Sequence, residues 1–424
     1  MTIHIVSPGE TPASIAESYG ISPVFLRSDN DIPPDDSIAV GQTLVIRFPA
    51  VVHAVVPGET LSSIAAAYNT TVRRLWQNNW QLGGNTTLFP GQTLVISYLD
   101  SPSVRGVFNG YAYPSIDAAL LNRQLPYLST LTPFTYGISA EGGLLPLDDE
   151  ALLTAAGLRG TAPVLHLSSY TEADTFDAQR AAGVLTDMEQ QKSLLAELQR
   201  TIIRKNFAGV DVDFEYLPAD LAMPYAEFLT RLRRLLNPQG RFVWAALAPK
   251  TSRDQPGLLY EGHDYASVGA AVNGVLLMTY EWGYTYGPPM AVAPLPQVRA
   301  VVDYALTEIP AEKIFLGISN YGYDWQLPFQ AGISRARSIS NQEAIHLAIQ
   351  YQIAIQYDET AQSPFFHYTS EDGVTHEVWF EDARSMAAKL QLIQNYGLHG
   401  GGYWNLMRPF SQTWLTLSSM FIIE

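Results

Sequence analysis

Three carboxylic acids lie close together in the segment GVDVDFEY, where Asp211, Asp213 and Glu215 alternate with apolar residues. Successive side chains of a β-strand point to opposite faces, so this spacing places the three acids on one face of a strand. Neighbouring like charges and the loss of water both raise carboxyl pKa values, so at least one acid is expected to keep its proton near neutral pH. Such a group is suited to general acid catalysis.

The order of the acids along the strand suggests a role for each. Glu215 comes last, nearest the open end of the strand, and is the predicted proton donor. Asp213 is predicted to share a hydrogen bond with Glu215 and with the substrate, while Asp211 tunes Asp213 from below. The alternatives are a satisfied structural network or a metal site, although folded proteins rarely bury unpaired carboxyl groups.

Other catalytic patterns are missing from the sequence. The eight histidines are scattered without HExxH spacing, and there is no GxSxG, P-loop or GxGxxG segment. His166 is interpreted as a hydrogen-bonded core residue rather than a ligand. The chain has no cysteine, which excludes disulfides and thiolate catalysis. We therefore predict neither a metal ion nor an organic cofactor.

The charge balance narrows the class of partner. The 25 Lys and Arg residues are outnumbered by 41 Asp and Glu residues, for a net charge of -16, and no basic run occurs. We therefore do not expect nucleic acid or membranes as partners, whereas a neutral, hydroxyl-rich ligand is expected. We also expect the protein to be a monomer. The first residues, MTIHIVSPGE, contain neither a basic start nor an apolar core, so we expect the protein to be made without a signal peptide.

A closed barrel would hold the three acids on its inner side, and the sequence after Ser101 predicts such a barrel. Apolar runs of strand length alternate with helical stretches, which indicates an α/β fold with a parallel sheet. Eight such runs predict a (β/α)8 TIM barrel over residues 99–424. The predicted strands begin at Arg105, Phe134, Ala162, Phe207, Arg241, Gly274, Lys313 and Gly401.

Helices are predicted between these strands from their capping residues. One runs from Thr186 to Lys205, because Thr186 and Glu189 form a capping-box pattern. Another runs from Ala219 to Leu236, where Asn237 and Pro238 follow.

One segment interrupts the alternation and predicts a small α+β insertion over about 326–381. It contains a helix opened by Ser340 and Glu343, then two strands joined at Asp372 and Gly373. Because it lies between the last two barrel strands, we expect it at the C-terminal rim, where it would wall one side of a cleft.

The N-terminal part of the chain contains two copies of one pattern. HIVSPGETP from His4 aligns with HAVVPGETL from His53, and VGQTLVI from Val40 aligns with PGQTLVI from Pro90. Each copy predicts a strand, two helices and a closing strand, over residues 1–48 and 49–98.

This repeat resembles the LysM module, which binds chains containing N-acetylglucosamine in peptidoglycan or chitin. The alternative is a pair of stable mini-domains that lack the sugar groove. In LysM modules the groove lies between the first turn and the loop before the last strand. The resemblance implies glycan contacts at Gly9, Thr11, Asn30, Gly58, Thr60 and Asn79.

The remainder of the chain resembles glycoside hydrolase family 18, whose signature is DxxDxDxE on the fourth barrel strand. Asp211, Asp213 and Glu215 match the last three acids, whereas Ala208 stands where the first Asp is usual. Tyr280 matches the family tyrosine that binds the N-acetyl group. Trp404 matches the tryptophan beneath the sugar, although a core role for this residue is the alternative. Further predicted substrate contacts are Met278, Glu281, Tyr136, Trp282, Asn320 and Tyr321.

The resemblance implies a retaining, substrate-assisted glycosidase in which the substrate's acetamido oxygen replaces an enzymic nucleophile. The combination of the two repeats with the barrel resembles the spore cortex-lytic branch of the family. So does the sequence of one segment, MTYEWGYTYGPPMAVAP. This implies an N-acetylglucosaminidase of cortex peptidoglycan that is located in the spore, with the cell wall or the extracellular space as the alternative location. The alternatives for function are a chitinase and a non-catalytic glycan-binding protein of the spore coat.

Overall fold

The computed structural model describes residues 1–171, 173 and 175–424 of the chain. Eight parallel strands form one closed barrel, because the last strand pairs with the first as well as with the seventh. The predicted TIM barrel is thus confirmed. Barrel strands 1 to 8 are Val104–Ala112, Thr130–Pro133, Ala162–Ser168, Gly209–Asp213, Phe242–Leu247, Gly274–Leu277, Ile314–Ser319 and Gly400–Trp404.

The position predicted for barrel strand 2 was wrong. This strand is Thr130–Pro133, and the run FTYGIS begins only after it. Within that run, Gly137–Ile138 pairs antiparallel with Leu144–Leu145 to form a small hairpin. Both segments are short and apolar, so hydrophobic pattern alone does not distinguish a barrel strand from the hairpin that follows it.

Helices surround the barrel and bury their apolar faces against it. Met188–Arg204 places Leu194, Leu198 and Ile202 wholly inside. Its N-cap is Asp187, whose carboxylate accepts from the Glu189 and Gln190 amides, so the predicted cap at Thr186 was one residue early. Thr186 instead ends the preceding helix. The other helices around the barrel are Ala118–Gln124, Glu150–Arg159, Ala178–Thr186, Ala222–Leu236, Leu258–Glu261, Tyr265–Ala271, Leu295–Glu308, Ala383–Tyr396 and Ser411–Met420.

The insertion between barrel strands 7 and 8 is a five-stranded antiparallel sheet with one helix, Asn341–Gln350. Ser340 caps that helix by accepting from the Glu343 amide, as predicted. The sheet begins at Gly322, four residues earlier than the predicted boundary. Its strands are Gly322–Leu327, Arg337–Ile339, Gln356–Asp358, Ser363–Thr369 and Thr375–Trp379.

Each N-terminal repeat is a two-stranded antiparallel sheet with two helices between its strands, as predicted. The first helices begin after Thr11 and Thr60, and both residues form capping boxes with a serine three positions later. In repeat 1 the elements are Thr2–Ile5, Pro12–Tyr19, Pro23–Asp29 and Thr43–Ile46. In repeat 2 they are Pro49–Ala54, Leu61–Ala67, Val72–Asn78 and Thr93–Tyr98.

The repeats pack against the barrel rather than hanging from it on a linker. Val45 of repeat 1 and Trp80 of repeat 2 belong to the same buried apolar cluster as the barrel core. Arg73 donates to the Pro126 carbonyl oxygen at 2.9 Å, and so joins repeat 2 to the first βα unit. Among the described residues, no helix has both the length and the apolar character needed to cross a bilayer.

Candidate active site

Barrel strand 4 presents its acids to the inside of the barrel, as the alternation predicts. The intervening Val210, Val212 and Phe214 are fully buried among the surrounding helices. Asp211 is fully buried, Asp213 is 6% exposed, and Glu215 just beyond the strand is half-buried. Exposure therefore increases along the strand from Asp211 toward the C-terminal rim.

An aromatic cleft of about 530 Å³ opens at the C-terminal ends of the barrel strands. This is the end at which TIM-barrel enzymes place their substrates. Of the residues predicted from the sequence, the cleft is lined by Asp213, Glu215, Met278, Tyr280, Glu281, Trp282 and Trp404. Further lining residues are Tyr113, Phe134, Phe176, Tyr216, Pro249, Leu259, Tyr260 and Tyr284.

Asp211 lies below the cleft and has a hydroxyl partner. The Tyr111 hydroxyl donates to its Oδ2 at 2.6 Å. Burial raises the pKa of Asp211 to about 6, and the Tyr111 hydrogen bond opposes that rise. The other carboxylate oxygen, Oδ1, is buried without a hydrogen-bond partner among the described residues. An ionised Asp211 is therefore costly to keep, and its charge acts on Asp213.

Asp213 carries the stronger perturbation. Its pKa is raised well above the usual range by burial, and further by the nearby carboxylates of Glu215 and Asp211. Burial also raises the pKa of Glu215. The two groups therefore favour holding a proton between them, which is the state a general acid needs before the reaction.

His166 of barrel strand 3 faces both aspartates. Its Nε2 atom lies 3.6 Å from Asp213 Oδ2 and 3.9 Å from Asp211 Oδ2. Its Nδ1 atom is 2.6 Å from the Thr135 hydroxyl, and burial lowers the pKa of His166 to about 3. His166 is therefore neutral, and it lies beside the two acids on the neighbouring barrel strand without adding a positive charge.

A second histidine fixes the backbone beside Glu215. His263 Nε2 donates to the Phe214 carbonyl oxygen at 2.9 Å, and its Nδ1 accepts from the Ala248 amide at 2.9 Å. These two backbone partners define the neutral tautomer with the proton on Nε2. Burial lowers the pKa of His263 to about 4, so this link between the ends of barrel strands 4 and 5 persists at neutral pH.

Tyr280 and Trp404 stand on other sides of the same cleft. Gly317 makes room for the tyrosine ring, because a Cβ at that position would lie 2.9 Å from Tyr280 Cε1. The pKa of the Tyr280 hydroxyl is raised by burial and by Asp213, so it stays a donor at neutral pH. Trp404 packs edge-on against Phe134 at 4.9 Å between ring centroids and keeps part of its surface in the cleft.

Glu281 follows Tyr280 in a left-handed backbone conformation, with φ of 67°. This conformation is uncommon for a residue with a side chain and often marks a functional position. Tyr321 donates to Glu281 Oε1, and Tyr323 donates to the same carboxylate at 3.0 Å. Burial raises the pKa of Glu281, while these hydroxyls lower it.

The insertion supports this carboxylate from behind through Tyr323. None of the described residues that line this cleft comes from 322–381, so the insertion does not contribute to the lining of the cleft as we expected. Tyr321 also lies behind Glu281 and does not line the cleft.

Two further predicted substrate contacts also lie outside the cleft. Tyr136 is 1% exposed, and its hydroxyl donates to Asp149 Oδ2 at 2.6 Å. The misplaced barrel strand 2 caused this error, since Phe134 rather than Tyr136 enters the cleft. Asn320 is also buried and donates to the Arg408 carbonyl oxygen at 3.1 Å, so it holds the segment after Trp404 instead of facing a sugar.

The predicted glycan contacts of the repeats divide into two groups. Asn30 and Asn79 are buried and use their amides to bond the backbone of the closing strands, at Val45 and Val95. Their side chains therefore hold each repeat together. The turns around Gly9, Thr11, Gly58 and Thr60 are exposed, so a sugar contact there stays a prediction.

Sequence reasoning missed Tyr111, His263 and the position of His166 opposite the acids. Tyr111 lies two residues after Asn109 in RGVFNGYA, so the two side chains share one face of the strand. This alternation already indicated that Tyr111 faces the barrel interior. No comparable signal identifies His263, which comes from a loop. Among the described residues, no group of three acidic or histidine side chains is arranged to hold a metal ion.

Two family models match the chain. The model of glycosyl hydrolases family 18 covers residues 177–408, which includes the three acids. The LysM domain model matches residues 4–47 and 53–97, which are the two repeats.

The relatives match nearly the whole chain, repeats included. The cortical fragment-lytic enzyme of Bacillus subtilis is 40% identical over 99% of this chain and 98% of its own length. The putative sporulation-specific glycosylase YdhD of Bacillus subtilis is 34% identical over the full length of both chains. The crystal structure of the Bacillus megaterium spore cortex-lytic enzyme SleL matches with a TM-score of 0.83 and 36% identity. It covers 100% of this chain and 98% of the SleL chain.

Proposed function

This chain belongs to family 18 of the glycosyl hydrolases and carries two LysM domains, and we propose that it cleaves the peptidoglycan of the spore cortex. The bond broken is the glycosidic bond that follows an N-acetylglucosamine residue. The observation that carries the proposal is that Asp213, Glu215 and Tyr280 meet Trp404 in one cleft at the open end of the barrel. Relatives that match the whole chain, repeats included, are named for cortex lysis and sporulation, which favours the cortex and a spore location.

In the proposed first step the substrate provides the nucleophile. Glu215 donates its proton to the glycosidic oxygen, and the bond from that oxygen to the anomeric carbon breaks. The carbonyl oxygen of the 2-acetamido group attacks the same carbon and forms an oxazolinium ion. The raised pKa of Glu215 supports this role, because the group must be protonated before bond cleavage.

Asp213 and Tyr280 orient the acetamido group for attack. The carboxylate of Asp213 accepts from the acetamido N–H, and the Tyr280 hydroxyl donates to the acetamido oxygen. Burial raises the pKa of Tyr280, so its hydroxyl stays a donor. Burial and the neighbouring carboxylates also raise the pKa of Asp213, so its carboxylate form depends on the shared proton residing on Glu215 and is stabilised by the positive charge that develops on the substrate. The indole face of Trp404 supports the apolar face of the sugar.

The second step returns the enzyme to its starting state. Glu215, now ionised, takes a proton from a water molecule as its oxygen adds to the anomeric carbon and the oxazolinium ring opens. The two displacements give net retention of configuration. Asp211 adjusts the proton affinity of Asp213 throughout, because its nearby negative charge raises the pKa of Asp213.

The test compares wild type with Glu215→Gln on cortex muropeptides and on chitin oligomers, with new reducing ends identified by mass. Turnover by the variant is expected to fall by about a thousandfold. The control is Glu227→Gln, which changes an exposed carboxylate on a surface helix and is expected to retain full activity.

Each outcome of that assay bears on a different part of the proposal. Absence of cleavage by the wild type on both substrates would favour a non-catalytic glycan-binding protein. Faster cleavage of chitin than of muropeptides would favour a chitinase. Equal rates for wild type and Glu215→Gln would remove Glu215 from the mechanism.

A further inference from the structure

The two LysM repeats form the same corner where the closing strand meets the first turn. In repeat 1 the Val6 amide donates to Gln42 O at 2.9 Å, and the Gly41 amide donates to Val6 O at 2.8 Å. In repeat 2 the matching bonds join Val55 with Gln92 and Gly91 at the same two distances. The corners therefore share one backbone fold, and differences between them come from their surroundings.

The corner of repeat 1 is covered by the barrel insertion. The Ile355 amide donates to Val40 O at 2.8 Å, and a Cβ on Gly41 would lie only 2.0 Å from Ile355 O. Ala39 is 5% exposed and packs in one apolar cluster with Ile345 of the insertion helix. A ligand as large as a sugar has no access to this side of repeat 1.

The same corner of repeat 2 is open. Phe89 occupies the position of Ala39 and is 68% exposed. A Cβ on Gly91 would meet no atom within 4 Å. Val56 occupies the position of Ser7 of repeat 1 and is 53% exposed. It directly follows Val55, whose backbone forms the hydrogen bonds of this corner. Two apolar side chains, one of them aromatic, therefore stand in water where repeat 1 has a serine and a covered alanine.

The chemistry around Phe89 matches a neutral sugar. The adjoining Asn85, Thr86 and Thr87 are exposed and offer amide and hydroxyl groups. The acid of the facing turn, Glu59, is already occupied by His53 Nε2 at 2.7 Å and by the Val56 amide. An aromatic ring beside uncharged hydrogen-bonding groups is suited to stacking against the apolar face of a pyranose.

Repeat 2 reaches the barrel through a different face, which leaves this corner free. Arg73 and Gln77 on its second helix both donate to the Pro126 carbonyl oxygen, at 2.9 and 2.8 Å. Attachment to the catalytic domain and an open corner are thus compatible in repeat 2, whereas in repeat 1 the corner is itself part of the attachment surface.

We infer that the two repeats have different tasks. Repeat 2 binds the N-acetylglucosamine-containing glycan at its open corner, beside Val56 and Phe89. Repeat 1 uses the matching corner to attach the repeats to the barrel. The inference rests on the proposed function, since it takes the same glycan as the ligand. It assigns retention on the insoluble wall to one repeat of the pair.

The test gives repeat 2 the residues of repeat 1. The full-length double variant Val56→Ser with Phe89→Ala is compared with wild type for binding to insoluble cortex peptidoglycan, by depletion from the supernatant. The Kd is expected to rise about tenfold. Turnover of soluble muropeptides and the thermal midpoint are expected to stay unchanged, because both side chains are exposed. The matched control is Val24→Ala, which removes an apolar side chain of repeat 1 that is 69% exposed, and its Kd is expected to equal that of wild type.

The possible results separate this inference from the proposed function. Wild-type binding by the double variant would overturn the assignment to the repeat 2 corner, and an equal loss in Val24→Ala would overturn the division of tasks. A wild type that cleaves soluble muropeptides but does not bind the insoluble wall would overturn this inference alone. A wild type that neither binds nor cleaves would overturn the proposed function as well.

Discussion

Asp211→Asn is expected to make the protein more stable at neutral pH while reducing its activity. Asp211 is fully buried, and its pKa lies at about 6 in the folded protein against an ordinary value of 3.8. The folded state therefore holds a proton on Asp211 between these two values, whereas the unfolded chain releases it. Ionising the buried group costs stability as the pH rises through this interval.

The size of the effect follows from the difference between the two pKa values. About two pH units at 1.36 kcal/mol per unit correspond to about 3 kcal/mol, which applies in full above about pH 6 and vanishes below about pH 4. Asparagine removes the charge and keeps an oxygen that accepts from Tyr111. The free energy of unfolding of the variant is thus expected to exceed that of wild type by about 3 kcal/mol at pH 7 and to be close to it at pH 4.

Urea denaturation followed by tryptophan fluorescence at pH 4 and pH 7 measures this difference. The control is Asp149→Asn, which also changes a buried aspartate but breaks its contact with Lys205 at 2.5 Å, and is expected to destabilise the protein at pH 7. A gain for Asp211→Asn of equal size at both pH values, or a loss at pH 7, would refute the reasoning. Turnover of muropeptides by Asp211→Asn is expected to fall, because the charge that raises the pKa of Asp213 is gone.

Two further substitutions test the placement of tyrosines. Tyr280→Phe removes the donor proposed for the acetamido oxygen, so kcat on a soluble N-acetylglucosamine oligomer is expected to fall about a hundredfold with little change in KM; a change confined to KM would contradict the orienting role. Tyr136→Phe removes a hydrogen bond to buried Asp149, so the free energy of unfolding measured by urea denaturation is expected to fall by about 1–2 kcal/mol. The kcat of this variant is expected to stay at the wild-type value. A loss of kcat would show instead that Tyr136 contacts the substrate.

The acids of barrel strand 4 were predictable because they depend on local alternation alone. Any strand in GVDVDFEY puts Asp211, Asp213 and Glu215 on one face, and the apolar partners decide which face is inward. The two repeats were predictable because the copies confirm each other. The turn at Asp372 and Gly373 follows from turn chemistry, and the structure joins two paired strands there.

The partners of the acids were less accessible, because they come from distant parts of the chain. Tyr111 is a hundred residues from Asp211 in sequence, and His263 reaches Phe214 from a loop. Tyr136 shows the opposite problem. An error of four residues in the position of a short strand moves a side chain from the cleft to the outer layer, and an apolar run does not mark its own ends.

Alternation also explains why Ala208 in place of the family aspartate need not disable the site. Ala208 precedes barrel strand 4 and shares the parity of Val210 and Val212, which point away from the acids. Its backbone continues the sheet whatever its side chain, since its amide donates to Pro163 O at 2.7 Å and its carbonyl accepts from the Phe242 amide at 3.2 Å. The neighbours of the inward-facing acids therefore do not depend on the side chain at position 208. The proton affinities of the acids depend on burial, on the Tyr111 hydroxyl and on one another. An aspartate at position 208 would add charge on the far side of the strand.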